Sequence, residues 1–248
     1  MQSDSEPGKY LCKCGTILDV APDGTATVSA GNRVGKKTMW IVSAAIAVLV
    51  LCGIGAGVFL QHKQARKEAF AHRIEEDRRL GFEFVENGKV LTGAPEDVTG
   101  YDIPEGVTAI EDYAFENRES LCRVTIPSSV TRIGKKAFSG CYRLTSMTIP
   151  SSVTSIGDQA FSNCISLSSV TIPEGVTSIG DFAFYICSSL TSVTIPSSVT
   201  SIGENAFKYC SSLTSVTISS SVTSIGEDAF EDCPCEGQVK RDYPHLFK

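Results

Sequence analysis

Histidine is almost missing from this 248-residue sequence: His62, His72 and His245 are the only three. None falls between Tyr101 and Cys233, so that long stretch has no base for a Ser-His-Asp or Cys-His centre. Other chemistry-bearing patterns are missing too. There is no H-E-x-x-H, no calcium loop and no G-x-x-x-x-G-K-[ST]. Sequons of the form N-x-[ST] are absent, which excludes attached N-glycans. Basic residues are scarce as well: Tyr101 to Cys233 holds 14 acidic against 7 basic residues, a balance of -7. Nucleic acid is excluded as a partner of that surface, because backbone binding needs a basic footprint. The sequence therefore predicts no enzyme, no catalytic residue and no cofactor.

A long apolar run is present. Met39 to Leu60, MWIVSAAIAVLVLCGIGAGVFL, carries no charge. As a helix it would be about 33 Å long, enough for a bilayer core of about 30 Å. With 38 residues before it, it reads as a transmembrane helix and not as a cleaved signal peptide. Gly53 and Gly57 form a small-xxx-small pair that permits a homodimer through this helix. The same glycines, with Gly55, lie in the span, and that context rules out a dinucleotide loop.

Either side of the span the chain is polar. Residues 1–38 lack apolar periodicity and read as a flexible tail. Cys12 and Cys14 within it are candidate zinc ligands, although they are one residue apart and no second pair lies on the same side of the membrane. Residues 61–80 carry six basic and four acidic side chains and read as a charged juxtamembrane helix, a solvated stalk. Residues 81–100 contain FEFVENGKVL, whose Asn87-Gly88 between apolar segments predicts a hairpin that caps the first repeat of residues 101–233.

From 101 to 233 the chain repeats itself. TIPSSVTSIGENAF, Thr194 to Phe207, returns as TIPSSVTSIGDQAF, Thr148 to Phe161. Ile-Pro recurs from Ile103-Pro104 to Ile195-Pro196, with Ile218-Ser219 as a sixth member, and Ala-Phe recurs six times from Ala114-Phe115 to Ala229-Phe230. Every step is 23 residues. Within one unit Leu190, Val193 and Ile195 point inward around a short strand, and Pro196 ends it. Gly203 is assigned to a tight bend, and Phe207 fills the space between layers from a short helical turn. One unit cannot bury its own apolar face, so stacking must supply the core. Residues 234–248 form a carboxyl-terminal tail.

Three columns carry the functional reading. Cys141, Cys164, Cys187, Cys210 and Cys233 are weighed as a disulfide staple, a metal row or buried thiols, and a straight column of equivalent positions favours the last. Cys122 and the Cys233-Pro234-Cys235 cluster stand apart, the latter as a place for a redox bond at an exposed end. Asp158, Asp181, Glu204 and Glu227 suit the amino ends of the short turns better than a divalent-cation row or a catalytic pair. Thr125, Thr148, Thr171, Thr194 and Thr217 fall between the inward Val (Met147 in one unit) and Ile of each first strand and should face outward in a regular ladder. That ladder is the candidate binding surface.

The pattern of Leu190 to Cys210, L-x-S-V-T-I-P-x-S-V-T-S-I-G-x-x-A-F-x-x-C, resembles the leucine-rich repeat of bacterial surface antigens called BspA-like. The resemblance implies a leucine-rich-repeat solenoid of short parallel strands, found mostly in surface or secreted proteins that bind host or matrix proteins. It carries over no catalytic residues. It also implies that the repeats lie outside the cell, extracellular or periplasmic, although the basic residues after Leu60 lean the other way. The expected function is recognition or adhesion toward a protein or glycan; the alternative is a scaffold of the cell envelope.

Overall fold

A computed structural model describes residues 9–11, 17–20, 26–28 and 60–246. The chain divides into two compact units, Met1–Lys63 and Gln64–Lys248. Cys12, Cys14 and residues 39–59 of the apolar run lie outside the described residues. Among the described residues no helix is long and apolar enough to cross a membrane.

In the first unit three short strands pair antiparallel: β1 (Lys9–Leu11), β2 (Ile17–Val20) and β3 (Ala26–Val28). The segment read as a flexible tail thus contains a small meander. Its strands are rich in Ile, Leu, Val and Thr, which suit extended backbone.

The second unit is a solenoid whose turns have three sides. One side is a sheet built from Ala109–Ile110, Arg132–Ile133, Ser155–Ile156, Ser178–Ile179, Ser201–Ile202 and Ser224–Ile225, each parallel to the next one 23 residues on. Another side carries the first strands, which pair as doublets: Gly100–Asp102 with Arg123–Thr125, Ser146–Thr148 with Ser169–Thr171, and Ser192–Ile195 with Ser215–Ile218. Within doublets the Ser168 and Thr214 N–H groups reach the preceding unit at 3.0 and 3.1 Å, whereas at the joints Thr145 and Thr191 do so at 3.4 Å. In the sixth unit Ser219 replaces proline, and its N–H donates to Ile195 O at 3.2 Å, which a proline could not do.

The third side corrects an expectation. The Gly-x-x-Ala-Phe segment is not helical; it holds two residues per unit in the left-handed region, for example Gln159 (φ 56°) and Asn163 (φ 61°). This backbone aims every second N–H at the following unit, as Lys136 to Asp158 O at 2.9 Å, Phe138 to Ala160 O at 2.8 Å and Gly140 to Ser162 O at 2.8 Å. A helix would spend those donors inside its own turn; here they join one unit to the next. Gly203, assigned to a tight bend, lies between the second strand and this side and is not in the left-handed region. A Cβ there would lie 2.5 Å from Asp181 Oδ1 and 2.6 Å from Asp181 N, so glycine permits the close stacking of units.

Along the axis, Phe115, Phe138, Phe161, Phe184, Phe207 and Phe230 stack with centroids 5.0 to 5.4 Å apart. Leu, Val, Ile, Ala and Cys columns surround them, completely or almost completely buried.

Both ends are covered, the first by the expected hairpin together with the residues read as a solvated stalk, the last by those read as a tail. Residues 60–79 form helix α1. Its Phe70, Ile74 and Asp77 share one face, and Ile74 joins the core. Asp77 is buried, held by Arg73 Nε at 2.9 Å and by the Tyr101 hydroxyl, which donates to Oδ2 at 2.6 Å. The six basic residues hid this stripe; the helix is a cap and not a stalk. Next to it β4 (Glu83–Val85) and β5 (Val90–Gly93) form a hairpin that extends the second-strand sheet by Leu91 pairing with Ile110. At the other end the tail read at 234–248 contains helix α2 (Glu236–Asp242), with Cys235, Val239 and Leu246 buried against the last unit. The last unit's apolar face would otherwise meet water.

Candidate binding surface

The five threonines of the first strands, Thr125, Thr148, Thr171, Thr194 and Thr217, are all exposed. A second exposed threonine column runs beside the other strand, from Thr108 to Thr223. Its hydroxyls are committed: Thr131 donates to Thr108 O at 3.2 Å, Thr154 to Thr131 O at 3.3 Å, and so on to Thr223 on Thr200 O at 3.2 Å. On the first strands only Thr125 has such a bond, donating to Asp102 Oδ1 at 2.6 Å. The hydroxyls of Thr148, Thr171, Thr194 and Thr217 bond to nothing among the described residues. Four donor-acceptor groups with methyls beside them thus face solvent. The doublet joints divide them into the pairs Thr148–Thr171 and Thr194–Thr217, so the ladder is less regular than the sequence suggested.

The acidic column has a structural task. Asp158 Oδ1 accepts the Asp181 N–H at 3.1 Å, and Asp181 Oδ1 accepts the Glu204 N–H at 2.8 Å. Both aspartates therefore cap the next unit, where a negative group satisfies a main-chain donor, while Glu204 and Glu227 make no such bond among the described residues. Among the described residues no three His, Cys, Asp or Glu side chains converge as a metal site would require. A cleft of about 630 Å³ lies between the last unit and α2, lined by Glu227, Asp228, Glu231, Lys240 and His245. Lys240 there is paired with Glu236 at 2.5 Å.

The cysteine column is a row of buried thiols, each donating to the preceding unit's phenylalanine carbonyl. Cys141 reaches Phe115 O at 3.1 Å, Cys187 reaches Phe161 O at 3.2 Å and Cys233 reaches Phe207 O at 2.9 Å. Cys233 and Cys235 are also buried free thiols, contrary to the exposed redox bond suggested by their position near the chain end. Burial pushes Cys141 up to about 12 and holds Cys164 and Cys187 well above the usual thiol value of 9.0. The contact with Cys210 raises Cys233, also to about 12. Below the unfolded value both states keep the proton. Between about 9 and about 12 only the unfolded chain releases it, so stability falls as pH rises through that window. Urea unfolding of residues 64–248 at pH about 8 and about 10.5 should show the loss, which Cys→Ala changes in the column should reduce. At neutral pH a thiol reagent should label only half-buried Cys122 quickly, and all seven thiols after unfolding. Rapid labelling of the column in the folded protein would contradict the buried ladder.

One departure in the turns escaped the sequence reading. The left-handed positions hold Tyr113, Lys136, Gln159, Asn205 and Asp228 in one column and Asn117, Gly140, Asn163, Tyr209 and Asp232 in the other. A single unit places Phe182 and Ile186 there. The signal was available as an apolar break in otherwise mostly polar columns.

Residues 108–236, just over half of the chain, match the model of the BspA type leucine rich repeat region in six copies. No curated protein matches. Among solved structures, a leucine-rich repeat protein of T. pallidum is similar with 24% identity and a TM-score of 0.54, over 67% of this chain and 92% of that one. A leucine-rich cell surface protein of Faecalibacterium prausnitzii is 35% identical with a TM-score of 0.52, over 61% of this chain. A leucine-rich repeat protein of Eubacterium ventriosum is 27% identical with a TM-score of 0.54, over 61% of this chain. The match spans 44% and 48% of those two larger chains.

Proposed function

We propose that this chain, which belongs to the family of BspA-type leucine-rich repeat proteins, is a non-catalytic recognition module that binds a protein or glycan at the bacterial surface. The observation that carries the reading is the difference between its threonine columns. Hydroxyls on the second strands are spent on the ladder, while four on the first strands are left for a ligand. A rigid stack supports such a surface because its groups are ordered before binding and cost little further entropy. The similar cell surface protein of Faecalibacterium prausnitzii supports the location. Tethering by residues 39–60, with the repeats outside the cell, completes the proposal.

The experiment is a pull-down from host, matrix and envelope extracts with residues 64–248, beside the variant Thr148→Lys/Thr171→Lys/Thr194→Lys. The segment starts at Gln64 because Ile74 and Asp77 belong to the core. Three exposed substitutions should leave circular dichroism unchanged and abolish saturable binding by crowding the face with charge. Binding that survives them removes the threonine face as the site. Absence of any saturable partner favours a scaffold of the envelope instead. Release of the full chain from membranes by alkaline carbonate would remove the tether.

A further inference from the structure

We infer that the turn face around Phe182 and Ile186 is a docking site for a protein segment bearing an apolar anchor side chain flanked by lysine or arginine. The inference rests on the proposed recognition role but not on its threonine face, which belongs to another side of the solenoid.

The first observation is where the residues sit. Phe182 and Ile186 both have φ of 56°. Glycine and asparagine enter that region cheaply, whereas a β-branched side chain there is a conformational outlier. Packing does not demand them, since neither belongs to the buried core and the neighbouring units use Gln159 and Asn205 in place of Phe182 and Asn163 and Tyr209 in place of Ile186. The unit thus holds two half-buried apolar groups at the rim of the turn face against its backbone preference, a pattern typical of functional sites.

The second observation is that they form a patch. Phe182 meets Tyr185 edge-on at 5.4 Å, and Tyr185 meets Tyr209 of the next unit edge-on at 5.6 Å. The Ile186 N–H donates to Lys208 O at 3.0 Å, which brings Ile186 beside the Lys208–Tyr209 backbone. Tyr209 remains 41% exposed, and Ile165 of the preceding unit 40%. Aromatic clusters of this kind dominate protein–protein hot spots.

Shape and charge define the kind of partner. Interplanar angles of 68° and 76° give an uneven surface, not the flat platform on which a sugar ring stacks. The isoleucines favour an aliphatic or aromatic side chain of a protein. Asp158, Asp181 and Glu204 border the patch, all exposed. Asp158 and Asp181 each spend one oxygen on the next unit and keep the other for a cation. The nearby Lys208 is already held by Asp228, at 3.0 Å, and by Glu231. Flanking charges on the partner are therefore positive.

The test pans phage-displayed random peptides on the full chain in detergent, with Phe182→Gln/Ile186→Asn as the comparison. Peptides selected by the wild type should carry an apolar residue between Lys or Arg. They should lose about ten-fold or more in affinity on the double variant and keep it on the triple-lysine threonine variant. The double variant should melt at the same temperature or a few degrees higher, because asparagine relieves the backbone conflict. A lower melting temperature would make the two residues structural and overturn the inference. So would failure to enrich peptides over the double variant, or enrichment of acidic ones. Glycan-array binding that needs Phe182 and Ile186 would overturn the assignment to a protein segment. None of these outcomes bears on the threonine face, which the pull-down judges separately.

Discussion

Phe161→Ala should cost residues 64–248 about 3–5 kcal/mol, the range for deleting a buried aromatic side chain. Phe161 is wholly buried between Phe138, at 5.4 Å and 4° from parallel, and Phe184, at 5.2 Å and 13°. Its loss breaks two ring contacts and opens a cavity between backbones joined by hydrogen bonds of 2.8 Å, which cannot collapse around it. Phe230→Ala at the end of the stack should cost less, because Phe230 contacts one ring only. Urea unfolding followed by circular dichroism compares the two. Equal losses, or a loss under about 1 kcal/mol at Phe161, would show that the stack is not where the core's stability resides.

Periodicity is the reason so much of the fold was legible in the sequence. A 23-residue step with no insertion makes every inward position repeat, so the Phe, Val, Ile and Cys columns could be placed before any geometry was known. The family resemblance rested on the same columns and is shown by the match over 108–236. Chain outside the period was harder to place. In α1 a three-member face of Phe70, Ile74 and Asp77 is diluted by exposed charges, and the buried Asp77 runs against any hydrophobic pattern. At the other end Val239 and Leu246 are too few to announce a cap, and only the open face of the last unit calls for one. The left-handed turns were misread as helical because Ala-Phe and the acidic residue suit a helix start. Local preference there yields to the gain from donating every second N–H to the next unit. The uncommitted hydroxyls of the candidate surface were equally invisible. Both threonine columns read alike in sequence, and only register separates them.

Removing one whole period should leave a folded solenoid, whereas removing half of one should abolish folding. Deletion of Ser155–Thr177 joins Thr154 to Ser178, so Ser178–Ile179 takes the place of Ser155–Ile156 beside Arg132–Ile133. Phe184 then stacks on Phe138, Cys187 inherits the Phe138 carbonyl, and Ser192–Ile195 pairs with Ser146–Thr148. One interface of the stack is lost, so stability and the urea m-value of residues 64–248 should both fall, the latter by about an eighth, with cooperative unfolding retained. Deletion of only Ser155–Ile165 removes Phe161 and Cys164 and brings Ser166–Leu167 to the second strand. Later positions are then out of phase, with Ser178 in the inward place of Leu167 and Asp181 in that of Val170, and main-chain donors face no acceptor. That protein should show no cooperative transition and should expose all its thiols to reagent at neutral pH. Cooperative unfolding of the half-period deletion with native circular dichroism, or failure of the full-period deletion to fold, would mean that the units do not stack as interchangeable turns.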